Sequence, residues 1–196
     1  MAKAKSKGKS SGRASSSRKT DTAARSQDAI ALLKADHRQV EEWFGQFEKA
    51  RDDEKKQELA ANICKALKIH TMIEEEIFYP AFLDATEDKD LHHEAEIEHD
   101  GAKQLIAKIE AAGPDDDYFD SMVSVLSEMI KHHVKEEEQA GGMFAEARKS
   151  DMDLDALGEQ LATRKSELEQ SGELDVPAGR GRRAGMQERA PSGRHR

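Results

Sequence analysis

The sequence predicts an all-α protein, an antiparallel up-down four-helix bundle with a disordered basic tail at each end. Three observations predict it. Apolar residues recur at spacings of three and four through four long segments, with no alternating pattern of the strand type. The breaks between those segments are short and polar, which favours antiparallel neighbours. Charged residues make up 36% of the chain and aromatic residues 5%, a balance that suits helices with one wet face.

The chain of 196 residues is long enough for one domain with a substantial core. Charge divides it further. Residues 1–25 hold eight Lys/Arg against one Asp, and residues 171–196 hold six Arg against three acids. The whole-chain charge of −9 therefore leaves residues 26–170 near −19. The expected organisation is a disordered basic tail (1–25), a helical bundle (26–150), a short C-terminal helix (151–170) and a disordered Gly/Arg-rich tail (171–196). Weak nucleic-acid contact through the tails is one expectation, opposed by repulsion from the acidic body. No apolar run approaches the roughly 20 residues of a membrane helix, so no membrane insertion is expected. The single cysteine, Cys64, excludes an internal disulfide and fits a reducing, cytoplasmic setting.

The first helix is expected to start near Ser26 as N-cap, with Ile30, Leu33, His37, Val40, Phe44 and Phe47 on its buried stripe. A charged turn at Arg51–Glu54 follows. The second helix is expected from about Glu54 to Leu83, with Pro80 kinking it or beginning its end. Its stripe is Ile63, Leu67, His70, Glu74, Ile77 and Ala81. After a polar break at 84–90, the third helix carries His92, Ala95, His99, Ala102, Ile106 and Ile109 and stops at Gly113-Pro114. Asp115 or Asp116 is the expected cap of the fourth helix. That helix carries Phe119, Met122, Leu126, Met129, His133, Glu137, Ala140 and Phe144, and Gly141-Gly142 loosens its far end. A fifth helix, about Asp153 to Gln170, is expected to pack loosely.

Each of the four stripes contains a histidine, and two add a carboxylate one turn later: Glu74 after His70 and Glu137 after His133. Counted from the turns, the four histidines fall at heights that differ by roughly 4 to 6 Å at 1.5 Å of rise per residue. They should therefore meet at one level. Four buried imidazoles and two buried carboxylates, with no Lys or Arg in the stripes, make a costly core without a cation. Imidazole with carboxylate suits iron, manganese or zinc, and the lack of cysteine ligands argues against a structural zinc. Six ligands, two of them able to bridge, suit two ions rather than one. His92 lies two turns from His99, too far to share its ion. His93 and His132 point off the stripe toward solvent, and Glu75 and Glu76 are solvated or orient a ligand histidine. Tyr79, five residues past Glu74, is not placed on the ligand face by helical spacing.

The pattern His37, then His70-x-x-x-Glu74-Glu75 ending in Phe78-Tyr79-Pro80, then Glu98-His99, then His133-x-x-x-Glu137-Glu138, resembles the hemerythrin-like (HHE cation-binding) family over about residues 26–147. The resemblance implies a non-haem di-iron centre, two iron ions bridged by both carboxylates and an oxo or hydroxo group. His37, His70, His99 and His133 match the family's terminal ligands, and Glu74 and Glu137 its bridging carboxylates. Glu138, five residues after His133, is the alternative to Glu137. One departure stands out. Oxygen-carrying hemerythrins have a second histidine one turn before the position of His99, and here that residue is Ala95. The resemblance then implies one iron more open, or filled by water or by a neighbouring acid such as Glu96 or Glu98.

The function expected from this set is binding or sensing of a small molecule: oxygen, nitric oxide or peroxide. The alternatives are a di-iron enzyme that reduces peroxide or nitric oxide in stress defence, and iron buffering.

Overall fold

The computed structural model describes residues 27–171. Ser26 and both expected tails, apart from Ser171 itself, lie outside the described residues. Within them the protein is a helical bundle with no strand. The first helix, α1 (Ala29–Lys49), starts at Asp28, whose carboxylate accepts from the Ala31 N–H at 2.7 Å. Asp52 does the same for α2 (Asp53–Ile73), accepting from Lys55 N–H at 2.9 Å.

After Ile73 the chain winds as one π-helical turn, Glu74–Phe78, and continues as α3 (Tyr79–Thr86). The expected kink at Pro80 is replaced by this turn. Proline has no N–H for the carbonyl four residues back, and its ring crowds that carbonyl. The wider turn just ahead of it closes on a bond from the Tyr79 N–H to the Glu74 carbonyl, one residue further back than in an α-helix. One extra residue in the turn rotates everything after it by about 100°. The buried positions past Glu74 are accordingly Phe78, Tyr79 and Phe82, not the expected Ile77 and Ala81, which are only partly buried.

Helix α4 (Lys89–Ala111) follows a cap by Asp88, and α5 (Phe119–Glu138) follows the Gly113-Pro114 stop. Neither Asp115 nor Asp116 caps α5. Tyr118 holds that position without a side-chain bond, and Asp116 accepts from the Tyr118 N–H at 2.8 Å inside the preceding turn. The expected run of α5 to Phe144 is also corrected. It ends at Glu138, and a separate α6 (Met143–Lys149) begins after a tight reversal. A Cβ on Gly142 would lie 2.0 Å from the Glu136 carbonyl oxygen, so only glycine lets the chain turn that closely. Phe144 still reaches the core, stacking on the His37 ring at 5.8 Å and meeting Phe78 edge-on at 5.7 Å.

The last helix, α7 (Leu154–Ser171), packs against α1, α2 and the π-turn, and the expectation of loose packing fails. Leu161 and Leu168 are fully buried. Gly158 is pressed so close to the residues that lead into α1 that a Cβ would sit 2.3 Å from the Gln27 carbonyl oxygen. None of the helices is long and apolar enough to cross a membrane among the described residues.

Two apolar cores result. One joins Val40, Phe44, Ile63, Leu67, Ile106 and Leu126. The other joins Leu33, Ile73, Phe78, Phe82, Phe144 and Leu161. Along α1, α2 and α4 the histidine of each stripe stands between residues of one core and residues of the other, and on α5 His133 follows Leu126 of the first core.

Candidate metal centre

Between the two cores lies a polar layer: His37 from α1, His70 from α2, Glu74 from the π-turn, His99 from α4, and His133 and Glu137 from α5, all buried. The structure brings together all six residues singled out in the sequence. The imidazoles meet in two pairs through their Nε2 atoms, His37 with His70 at 3.1 Å and His99 with His133 at 3.3 Å. The two carboxylates lie between the pairs. Glu74 Oε2 is 3.2 Å from His70 Nε2 and 3.4 Å from His99 Nε2. Glu137 Oε2 is 3.3 Å from His37 Nε2 and 3.6 Å from His133 Nε2. Of the two acids left open at the end of α5, Glu137 points into the layer, while Glu138 lies behind His37.

Each imidazole is backed by an acid on its Nδ1 side. Glu138 is 2.9 Å from His37 Nδ1, Glu75 2.9 Å from His99 Nδ1, and Glu98 2.7 Å from His133 Nδ1. Asp36 stands further off, 3.7 Å from His70 Nδ1. Such contacts fix the ring and turn its other nitrogen inward. Glu75 is therefore the orienting residue, while Glu76 is exposed and pairs with Arg164 of α7. Glu98 does not fill the space near Ala95, and Glu96 faces outward toward His92. His93 and His132 are exposed as expected.

Tyr79 is the residue of this layer that helical spacing misses. Its hydroxyl is 3.1 Å from His99 Nε2, 3.3 Å from Glu137 Oε1 and 3.5 Å from Glu74 Oε2. The π-turn puts it there, because its i→i+5 bond, from the Tyr79 N–H to the Glu74 carbonyl, brings Tyr79 round toward the face of Glu74. Ala95 packs in the same cluster and has no side chain beyond Cβ to compete for the space. The signal available in the sequence was Pro80, four residues after Glu76, where an α-helical hydrogen bond cannot form; π-turns of this kind are frequent at functional sites.

The electrostatics are those of a site built for a cation. Burial works against a charge on His99, but the hydrogen bonds and charges of Glu74 and Glu75 outweigh it and raise its pKa to about 9. His37 and His133 are raised too, against burial, mainly by Glu137. Burial likewise opposes the charge on Glu137, yet His133 and His37 hold its carboxyl below the usual range. Burial, with Glu74 and Glu137 beside it, pushes the Tyr79 phenol well above its usual value. Even so, Glu74 Oε1 and Glu137 Oε2 are closed off from solvent without a donor. Facing nitrogens and undonated buried carboxylate oxygens are what a metal ion would satisfy. Two sets of donor atoms each lie within 4.8 Å of one another: His37, His70, Glu74 and Glu137, and Glu74, His99 and His133. Both could hold a metal ion. On the side of the core that holds Val40 and Leu67, the four histidines wall a cavity of about 10 Å³, room for one water-sized molecule. Cys64 is buried away from the layer, and its thiol is pushed up to about 12 by burial and Glu110, which leaves it inert.

Comparison with known proteins fits this arrangement. A solved structure of a hemerythrin HHE cation binding domain-containing protein from Mycobacterium kansasii is similar in fold, with a TM-score of 0.63 at 21% identity, covering 74% of this chain and 90% of that one. A protein named DNA nickase from a Nostoc species is 29% identical over 120 residues, 60% of this chain. The match takes in about a third of that protein's length, 32%. Residues 28–145 match the family model of the hemerythrin HHE cation binding domain, a description that implies a metal cofactor. The chain belongs to the hemerythrin HHE cation binding domain family.

Proposed function

We propose that this layer holds two non-haem irons and that the protein binds or senses a small molecule there, oxygen, nitric oxide or peroxide. The observation that carries the reading is the paired Nε2 geometry. Two imidazoles on one ion at metal–nitrogen distances of about 2.1 Å leave their nitrogens roughly 3.0–3.4 Å apart, and both pairs fall in that range. In this reading His37 and His70 would hold one iron and His99 and His133 the other, with Glu74 and Glu137 as the carboxylates that both would share. Two irons so held supply a redox-active pair with a face open to a small ligand. The remaining work belongs to the chain. Glu75, Glu98 and Glu138 keep the rings aimed inward, and Leu67, Ile130 and Val134 keep bulk water and larger ligands out. Tyr79 Oη takes the position that Ala95 leaves without a nitrogen. Burial keeps the phenol protonated, and a cation beside it reverses that preference.

We read the described helices as an up-down antiparallel bundle of α1, α2 with α3, α4 and α5, in a cytoplasmic protein. Weak contact of the basic tails with nucleic acid is a separate proposal, tested by a salt-dependent DNA shift assay with and without residues 1–25.

A second reading, an enzyme that reduces peroxide or nitric oxide, is favoured by Tyr79, a proton-bearing group beside the open face. Gas evolution from peroxide, or nitrite from nitric oxide, measured on iron-loaded protein separates it from a sensor and from simple iron buffering. The first test of both is metal content per chain after anaerobic purification, with an optical spectrum taken in air. About two irons and a near-ultraviolet oxo-bridge band support the di-iron reading. One zinc or no metal, under conditions that load a control di-iron protein, overturns it.

A further inference from the structure

The four acids behind the histidines are not alike. Glu138 pairs with Arg38 at 2.5 Å and with Lys34 at 3.2 Å, Glu75 with Lys103 at 2.6 Å, and Asp36 with Lys165 of α7. Glu98, behind His133, meets no Lys or Arg among the described residues. Its Oε1 faces His132 Nε2 at 3.4 Å instead. The same nitrogen is 3.2 Å from Oε1 of Glu136, one turn further along α5. Donor atoms of all three residues lie within 4.8 Å of one another. The other oxygen of Glu136 is closed off from solvent and has no donor. The cluster therefore carries more negative charge than one exposed imidazole balances.

We infer that Glu98, His132 and Glu136 form an outer site for a divalent transition-metal ion on the surface between α4 and α5. The imidazole selects this class over calcium or magnesium, which take oxygen donors. Three protein ligands leave positions for water, so the site exchanges with solvent. Glu98 is shared: one oxygen belongs to the outer cluster, while the other, 2.7 Å from His133 Nδ1, holds a histidine of the buried layer. An ion outside is thus one carboxylate and one imidazole from the centre.

The test counts metal with the buried layer already filled. Full-length protein is loaded with iron anaerobically, freed of excess metal and titrated with zinc in equilibrium dialysis. The His132→Ala/Glu136→Gln double variant is treated identically. Neither side chain reaches the buried layer, so its iron content and melting temperature should match the wild type. The wild type is expected to bind one more zinc per chain than the double variant, or to bind that zinc about tenfold or more tightly. Zinc binding by the double variant equal to that of the wild type, or no additional zinc on the wild type, overturns the site and leaves the cluster a solvated charged face. Glu98 is left unsubstituted because its loss would disturb His133 as well.

Discussion

The two apolar cores on either side of the polar layer are built differently. The core of Val40, Phe44, Ile63, Leu67, Ile106 and Leu126 comes from uninterrupted α-helix. The opposite core joins residues of α1, α2 and α4 to shorter and irregular pieces, the π-turn, α3 and α6, and to α7 packed against α1 and α2. Regular helix supplies the histidines, and the irregular end supplies Glu74, Tyr79 and Phe144, which close the layer from the other side. One core therefore positions the site by periodicity, and the other by exceptions to it.

The residue common to both sides should show the largest effect. Glu74 is fully buried and its oxygens belong to both donor sets. Glu74→Ala is expected to strip metal from both sets, and to melt well below the loaded wild type because metal binding is coupled to folding. Elemental analysis and a thermal scan check it. A variant without metal that melts with the loaded wild type would show that the layer holds itself together.

The cores can be set against each other directly. Phe78 and Phe119 are both buried, one in each core. Truncating either to Ala should cost about 3–5 kcal/mol in denaturant unfolding. Only Phe78→Ala should also weaken metal retention against a chelator, since Phe78 supports Phe144, which stacks on His37. Equal retention in both variants would erase the distinction drawn between the cores.

That distinction also explains how much the sequence disclosed. His37, His70, His99 and His133 were legible because a 3–4 stepping carried polar residues into an apolar stripe. Glu74 and Glu137 followed by the one-turn rule. Ile77 and Ala81 were misplaced for the reason Tyr79 was missed: fixed-period reasoning has no place for an extra residue in a turn. Gly141-Gly142 signalled a loosened helix end but not a reversal, because Phe144 stays on the projected stripe while the backbone turns at Gly142. The packing of α7 was hidden because its partners, the beginning of α1 and the end of α2, are remote in sequence and its own apolar positions are sparse. The close approach of Gly158 carries no hydrophobic signal at all.

Neighbouring residues on the π-turn give a finer contrast. Glu75 reaches His99, while Glu76 reaches only Arg164. Glu75→Ala should lower metal affinity about 10–100-fold, as loss of a ligand-orienting acid does elsewhere. Glu76→Ala should leave it unchanged. Chelator competition measures both, and a comparable loss in each would mean that the turn acts as a whole.

Acidity separates the empty layer from the filled one. In metal-free protein the folded state raises His99 from 6.5 to about 9. That contribution is complete below pH 6.5 and disappears as pH rises through about 9. A bound metal requires neutral imidazoles, so filling the layer releases protons and is favoured by rising pH. The difference in melting temperature between loaded and metal-free protein should therefore widen from pH 6.5 to 9. A constant gap would mean that His99 keeps its proton in the loaded state.

The smallest change in stability is expected at Tyr79, with the clearest spectroscopic consequence. Tyr79→Phe removes one hydroxyl and keeps the ring that packs against His92 and Phe78. In the metal-free protein it leaves His99 Nε2 and Glu137 Oε1 without the phenol, a cost of about 1 kcal/mol. If the oxygen completes the coordination that Ala95 cannot, iron-loaded wild type has a visible phenolate-to-iron band that the variant lacks, and both still hold two irons. The alternative is a phenol that only walls the cavity and donates a hydrogen bond. In that case the visible spectra coincide, and the side chain's effect is confined to the pH dependence of ligand binding. The comparison isolates the one oxygen that the π-turn places, since the ring and its packing stay the same.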